Sequence, residues 1–379
     1  MEAIKASSGG GLFQQLKRPD KEVLAVVLKI SGLLVFLYLF ILSISLLGDS
    51  FKLFGKDFAK TLLATTSNPF VGLFIGMLAT SVIQSSSTTT TIVVGMVAGG
   101  VLSLEGAIPI VMGANIGTTI TNTLVSLSHI TNTGEFKRAF AGAIVHDVFN
   151  VLTVIVLLPL QITTDFLGKA SLFLGDFLES AGGLKFGSPL KMITKPVVEL
   201  IVELVNKSPW ISALIAIAFL FIALRYMVKI MKSLVLARVE GFFQRYIFKT
   251  TFRALMLGLI LTAIVQSSSI TTSLLVPLLG AGVLSLYRAY PFTLGANVGT
   301  TVTAILAALV TGQAIALSVA LAHLLFNISG IAIFLPLRRI PINIAQWLSH
   351  SIDKSRLIPV GLIVVFFFII PLILIYSLR

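Results

Sequence analysis

Two copies of the sequence Gln-Ser-Ser-Ser stand in apolar surroundings, at Gln84 to Ser87 and at Gln266 to Ser269. After the first copy the polar run continues to Thr91. If a helix breaks at such a run, the half that follows presents free backbone N–H groups and a partial positive charge, which suit an oxyanion. Hydroxyl groups add donors, while freed carbonyl, Gln and Thr oxygens suit a hard cation such as sodium. The two segments therefore predict a site for an anion together with a cation.

The two segments belong to an internal repeat. With a constant offset from Gln84 through Thr119, 20 of 36 aligned positions are identical. After a gap the copies realign, so that His146 matches His323 and Asn150 matches Asn327. Small polar residues often serve only to pack membrane helices, but their repetition at matched positions favours a functional role.

A second pair of repeated segments carries glycines, an asparagine and threonines. It consists of residues 113–119 and 295–301, with Asn115 matching Asn297. Glycines permit backbone distortion or close approach, and the Asn and Thr side chains supply neutral oxygens. A tightly packed helix crossing is the alternative interpretation.

The elements that position these residues are predicted to be membrane helices. The chain of 379 residues is 56% hydrophobic and 11% charged, with a mean hydropathy of +1.02, whereas roughly a quarter of residues are charged in soluble domains. Val23 to Leu47 and Leu357 to Leu378 have the length of spanning helices. We predict an all-α polytopic membrane protein. Because there is no cysteine, disulfides and thiolate metal sites are excluded.

The predicted organisation has five parts. They are a cytoplasmic N-terminal segment (1–22), a first span plus repeat 1 (23–160, with a re-entrant hairpin at about 70–104), an extracytoplasmic connection (161–207), a span plus repeat 2 (208–340, with a re-entrant hairpin at about 254–286), and an interfacial helix with the last span (341–379). Short interfacial helices are expected at Phe166 to Leu178 and Ile344 to Ile352. Each hairpin is a broken helix that carries a Gln-Ser-Ser-Ser motif.

The two repeats are predicted to be inverted. Three spans are expected between the hairpins, and an odd number of crossings makes the second hairpin enter from the opposite face. The net charge of +13 is interpreted as a topological signal, because Lys and Arg gather in cytoplasmic loops. This places the N-terminus and the basic groups at 137–138, 229–253 and 338–356 inside. Lys52, Lys56 and Lys60 are the exception, since the same count puts them outside.

Three ionisable residues fall inside predicted helices. For His146 and His323 a hydrogen-bonded packing role is favoured over proton relay. Asp147 has no acidic counterpart, because Leu324 takes its place in the second copy. An ionisable group inside a membrane is a functional candidate, so both a functional and a structural role remain open for Asp147.

Several motifs in the same order resemble the type II sodium-phosphate cotransporter family, in a bacterial form. They are the two Gln-Ser-Ser-Ser segments, residues 112–118 (MGANIGT), 121–123 (TNT), 136–142 (FKRAFAG), 145–150 (VHDVFN) and 323–330 (HLLFNISG). The resemblance covers about residues 23–378 and implies sodium-driven uptake of inorganic phosphate. Animal members carry a disulfide-bonded loop, which a chain without cysteine cannot form.

The resemblance also implies site residues. The expected phosphate-binding residues are Gln84, Ser85, Ser86, Ser87, Thr88, Gln266, Ser267, Ser268 and Ser269, with Asn115 and Asn297 from the second pair of segments. The expected sodium-binding residues are Gln266, Ser267, Thr300 and Thr303, extended by repeat symmetry to Gln84, Ser85, Thr118 and Thr121.

Alternative functions are a sodium-coupled carboxylate transporter, a passive anion channel and, with less support, a receptor or scaffold. Enzyme motifs are absent, including a phosphate loop and a His-Glu zinc motif. We expect no cofactor apart from sodium as the coupling ion, and no nucleic-acid partner. The expected location is the plasma membrane, the bacterial inner membrane. The oligomeric state is left open, with a homodimer as one option.

Overall fold

The computed structural model describes residues 19–182, 189–242 and 250–378, and every regular element in these ranges is helical. The α-helices are α1 (Pro19–Leu53), α2 (Gly55–Thr65), α3 (Pro69–Ile83), α4 (Ser86–Ala98), α5 (Leu104–Gly117), α6 (Ile120–Ser126), α7 (Thr133–Thr164), α8 (Phe166–Gly182), α9 (Pro189–Leu204), α10 (Pro209–Phe242), α11 (Thr251–Val265), α12 (Ser268–Ser273), α13 (Leu275–Gly280), α14 (Leu286–Thr311), α15 (Ala314–Phe334), α16 (Arg339–Ser349), α17 (Ile358–Val364) and α18 (Ile370–Leu378). A π-helical turn joins α17 to α18. Most of the predicted N-terminal segment lies outside the described residues.

Seven helical stretches are long and apolar enough to cross a membrane. They are Val23–Leu53, Leu104–His129, Thr133–Thr164, Pro209–Leu234, Leu286–Thr311, Ala314–Phe334 and Ile358–Leu378. The pair α2 and α3, bent by 100° at the break between them, would make an eighth if counted as one span. These helices confirm the prediction of an all-α polytopic membrane protein.

Each Gln-Ser-Ser-Ser segment lies at a break between two helices. α3 and α11 have 15 residues each, which corresponds to about 22 Å at about 1.5 Å per residue. A spanning helix needs about 20 residues, so each arm is too short to cross. The chain then turns at the motif and continues as α4 in the first repeat and as α12 and α13, Ser268–Gly280, in the second.

Glycines bring each hairpin against the helix that follows it. A Cβ atom at Gly76 would lie 1.9 Å from the carbonyl oxygen of Ile110, and one at Gly113 would lie 1.8 Å from that of Leu73. The second repeat has the same contacts between α11 and α14. There a Cβ atom at Gly258 would lie 2.0 Å from the Phe292 oxygen, and one at Gly295 would lie 1.9 Å from the Leu255 oxygen. No residue but glycine fits these crossings, so the alternative of a tight helix crossing holds for the glycines of the second pair of segments.

The two repeats share one apolar core. Met77 of α3 and Ile108 of α5 belong to the same buried cluster as Ala307 of α14 and Phe326 of α15. Burial of such apolar side chains gains about 25 cal/mol per Å² over leaving them in water. Inside the bilayer, close packing of this cluster holds the repeats against each other instead.

The structure differs from the sequence prediction in the connection between the repeats. Residues 161–207 were expected to be a loop with one short helix, but α7 continues to Thr164 and two helices follow, α8 and α9. α9 contains Pro196 and charged residues among its apolar ones, a composition that does not suggest a span. The segment after α1 also forms a helix, α2, which carries Lys56 and Lys60.

Candidate functional site

The two motifs adopt the same backbone conformation. Gln84 ends α3 and Gln266 ends α11 in the left-handed region, with φ of 58° and 60°. The next residue, Ser85 or Ser267, is extended and caps the following helix through its hydroxyl group. The Ser85 Oγ accepts from the backbone N–H of Thr88 at 3.2 Å. Such a turn aims the first N–H groups of the second helix out of the break.

Both motifs line one cavity of about 360 Å³, to which residues 84–88 and 266–269 contribute. They also contact each other, since the Ser87 Oγ donates to the backbone oxygen of Gln266 at 3.5 Å. The cavity therefore combines hydroxyl groups and the starts of two helices, α4 and α12, from both halves of the chain.

Two further hydrogen bonds join the repeats beside the cavity. The Ser269 Oγ donates to the backbone oxygen of Thr118 at 3.2 Å. The Asn122 Nδ2 donates to the Thr272 Oγ1 at 2.7 Å. Because all four residues are buried, these bonds replace contacts with water that the groups have lost, and they fix the relative position of the repeats.

The residues expected to bind sodium are arranged differently in the two repeats. In the second repeat the Thr303 hydroxyl donates to the Gln266 Oε1 at 2.6 Å. In the first repeat the matching Thr121 hydroxyl is buried and has no hydrogen-bond partner among the residues that the structure describes, and Gln84 is exposed. The helix of the first repeat breaks after Gly117, whereas α14 continues through Thr300. Only the second repeat therefore brings its Gln and Thr oxygens together in this structure.

The threonines one turn earlier bond to their own helices. The Thr118 Oγ1 donates to the Ala114 oxygen at 2.9 Å, and the Thr300 Oγ1 donates to the Ala296 oxygen at 3.1 Å. The described residues hold no cluster of three or more His, Cys, Asp or Glu that could bind a metal ion. A cation at the motifs would thus be held by neutral oxygens, a donor set that suits a monovalent hard ion.

Asn115 and Asn297 do not line the cavity between the motifs. The Oδ1 of Asn297 accepts from the Nε2 of His146 at 2.5 Å, and the Oδ1 of Asn115 accepts from the Nε2 of His323 at 3.3 Å. The Asn297 Nδ2 also donates to the Asn150 Oδ1 at 2.7 Å. Each histidine thus bonds to the asparagine of the opposite repeat, an arrangement that fits the favoured packing role.

Asp147 lies away from the motifs. It faces a separate apolar cavity of about 330 Å³ lined by α7, α16 and the last span. Its Oδ1 is buried without a hydrogen-bond partner. The structure therefore does not bring Asp147 together with the predicted sodium or phosphate residues.

Three basic residues that were not predicted from the sequence lie at the cavity between the motifs. Arg225, Lys229 and Lys232 of α10 line it together with both motifs. Lys229 and Lys232 belong to the basic group 229–253, which the sequence pattern indicates only as a marker of the cytoplasmic side. The available signal was the spacing of four and three residues, which places all three side chains on one face of a membrane helix.

Comparison with known proteins identifies relatives over most of the chain. The family model described as Na+/Pi-cotransporter matches residues 39–177 and 219–348, so that each matched stretch contains one motif. Sodium-dependent phosphate transport protein 2B of Pongo abelii is 36% identical over 90% of this chain and 64% of its own length. Protein 2A of Ovis aries is 36% identical over 95% of the chain and 69% of its own length, and protein 2B of Homo sapiens is 36% identical over 90% and 64%.

The chain spans about two thirds of the length of these curated relatives. No solved structure matched the chain.

Proposed function

This chain belongs to the Na+/Pi-cotransporter family, and from that premise we propose that it is a secondary active transporter that couples sodium entry to uptake of inorganic phosphate. The observation that carries the proposal is the meeting of the two Gln-Ser-Ser-Ser turns in one cavity, where Ser87 and Gln266 are hydrogen-bonded. The relatives are named as transport proteins, and we propose no enzymatic activity.

In this proposal phosphate binds between the two motifs. The contacts come from Gln84 to Thr88 and from Gln266 to Ser269. Backbone N–H groups at the starts of α4 and α12 donate to phosphate oxygens, and the partial positive charge of the helix ends adds to the attraction. In this proposal Asn115 and Asn297 do not contact phosphate. They hold in place the helices that carry the glycine crossings.

Sodium binds at the oxygens of Gln266, Ser267, Thr300 and Thr303. The hydrogen bond between Thr303 and Gln266 supports this set, because it already brings two of the oxygens to 2.6 Å. By repeat symmetry a second set consists of Gln84, Ser85, Thr118 and Thr121. Its formation requires a rearrangement around the break between α5 and α6, since the Thr121 hydroxyl has no partner here.

The repeats are inverted in the membrane, and transport proceeds by alternating access. Three membrane-capable stretches, 104–129, 133–164 and 209–234, separate the first hairpin from the second, and this odd number supports the inversion. External sodium binds first and favours the outward-open state, because a ligand shifts a conformational equilibrium only through its different affinity for the two states. The protein is then a multi-pass protein of the plasma membrane, the bacterial inner membrane, with its N-terminus in the cytoplasm.

The test is phosphate uptake into proteoliposomes with and without a sodium gradient. We expect uptake that needs sodium, is competed by arsenate and is unaffected by succinate. Competition by succinate would instead favour a sodium-coupled carboxylate transporter. Uptake that continues unchanged when choline replaces sodium would contradict coupling and favour a passive anion channel.

A further inference from the structure

The cavity between the two motifs has a cationic wall formed by one face of α10. Arg225, Lys229 and Lys232 line this cavity together with both serine motifs. Their spacing of four and then three residues stacks them on the same side of a helix. At about 1.5 Å per residue, Lys229 and Lys232 lie about 6 Å and about 10 Å beyond Arg225 along the helix axis. The three charges therefore form a row along the wall of the cavity.

The position of Arg225 within the span indicates that it does more than set the orientation of the helix in the membrane. All three residues lie in the part of α10, Pro209–Leu234, that is long and apolar enough to cross a membrane. Lys232 is the last of the three along the chain, and basic residues commonly anchor the end of a span at the interface. Arg225 lies seven residues before Lys232, about 10 Å further into the apolar stretch. A charge at such depth is costly unless it faces water or a ligand, and a cavity wall meets that condition.

Among the described residues, no acidic side chain lines the cavity beside the positive charges of this row. Arg225 forms no ion pair within the described parts of the chain, and the Lys229 Nζ lies 6.0 Å from the Tyr226 ring centroid. The motifs themselves offer only neutral donors, so an anion in this cavity meets its formal counter-charge on α10.

We propose that Arg225 is a phosphate-contacting residue of the transport site, and that Lys229 and Lys232 guide the anion along the cavity towards the end of α10. This inference rests on the proposed phosphate transport. The guanidinium group binds two oxygens of a phosphate with parallel N–H bonds, a geometry that a lysine cannot reproduce. A divalent anion is attracted to this wall more strongly than a monovalent anion, so the row selects for divalent oxyanions.

The experiment measures phosphate binding to the purified protein and sodium-driven uptake in proteoliposomes, for wild type and for Arg225→Gln. We expect Arg225→Gln to raise the phosphate concentration for half-maximal uptake about tenfold to a hundredfold, the worth of one charged hydrogen bond. Arg225→Lys should raise this concentration less, because lysine keeps the positive charge but lacks the planar group that forms two parallel N–H bonds. At saturating phosphate, the uptake by Arg225→Gln should depend on the sodium concentration as it does in wild type.

Arg288→Gln is the matched control, since Arg288 is exposed on α14 and does not line the cavity; it should leave the phosphate dependence unchanged. Lys229→Gln gives an independent readout if Arg225→Gln does not fold, and should weaken phosphate binding most at low ionic strength. If folded Arg225→Gln takes up phosphate with the same concentration dependence as wild type, the inference is overturned and the proposed function still stands. Where Arg225→Gln does not fold, the same result for Lys229→Gln overturns the inference. Phosphate binding by wild type without sodium-driven uptake would overturn the proposed function, and the binding data would still decide the role of Arg225. Absence of phosphate binding by wild type would overturn both.

Discussion

Replacing Gly113 by alanine tests whether the glycine crossings set the position of the serine turns. A Cβ atom at position 113 would lie 1.8 Å from the Leu73 oxygen, whereas Cβ atoms in proteins essentially never come closer than 3.0 Å to such an atom. α3 and α5 must then separate by about 1.2 Å. Because α3 ends at the Gln84 turn, that shift reaches Ser85 to Ser87 and their contact with Gln266.

A displacement of about 1 Å in a binding constellation can cost about 100-fold in rate. We therefore expect Gly113→Ala to lower sodium-dependent phosphate uptake by roughly that factor, at equal protein amounts in proteoliposomes. Gly295→Ala should behave alike, since its Cβ would meet the Leu255 oxygen at 1.9 Å. Gly48→Ala is the control, because nothing lies within 4 Å of a Cβ there. Wild-type uptake by Gly113→Ala would refute the role assigned to the crossing.

Three other variants have expected outcomes. Ser85→Ala combined with Ser267→Ala removes both helix caps and two hydroxyl donors, so sodium-dependent phosphate uptake should be lost while size-exclusion profiles stay those of wild type; retained uptake would exclude these serines from the site. Thr303→Val removes the partner of the Gln266 Oε1 and should raise the sodium concentration for half-maximal uptake with little change in expression; an unchanged sodium dependence would count against the sodium set. Asn297→Ala leaves the Nε2 of His146 and the Oδ1 of Asn150 without their partner, at about 1–3 kcal/mol for each stranded buried group, so the melting temperature should fall; an unchanged melting temperature with lost phosphate binding would restore Asn297 as a ligand.

The repeat made much of the site predictable from the sequence. Eight consecutive polar residues from Gln84 to Thr91, in apolar surroundings, indicate irregular backbone rather than a lipid-facing helix. The matching Gln-Ser-Ser-Ser segment extended this prediction of a helix break to Gln266. The same pattern predicted two hairpins and the helices that follow them. This prediction depends on comparing the two copies with each other, which a single Gln-Ser-Ser-Ser segment would not permit.

Other features depended on contacts that no local pattern encodes. The pairing of His146 with Asn297 and of His323 with Asn115 joins residues 151 and 208 positions apart. Repeat symmetry assigned Thr121 the same surroundings as Thr303, but the break between α5 and α6 leaves the Thr121 hydroxyl without a partner. Arg225 was missed because α10 belongs to neither copy of the repeat, so nothing in the sequence linked it to the motifs.

Thiol labelling tests most directly whether the two motifs form one phosphate site. The chain has no cysteine, so single cysteines at Ile83 and Ile270, which flank the motifs and line the same cavity, can be introduced without other changes. With sodium present and phosphate at about ten times its Kd, a charged methanethiosulfonate reagent should react about tenfold more slowly at both positions. A cysteine at the outlying Ser128 should react at the same rate throughout. Protection at only one of the two cavity positions, or at neither, would contradict a shared site.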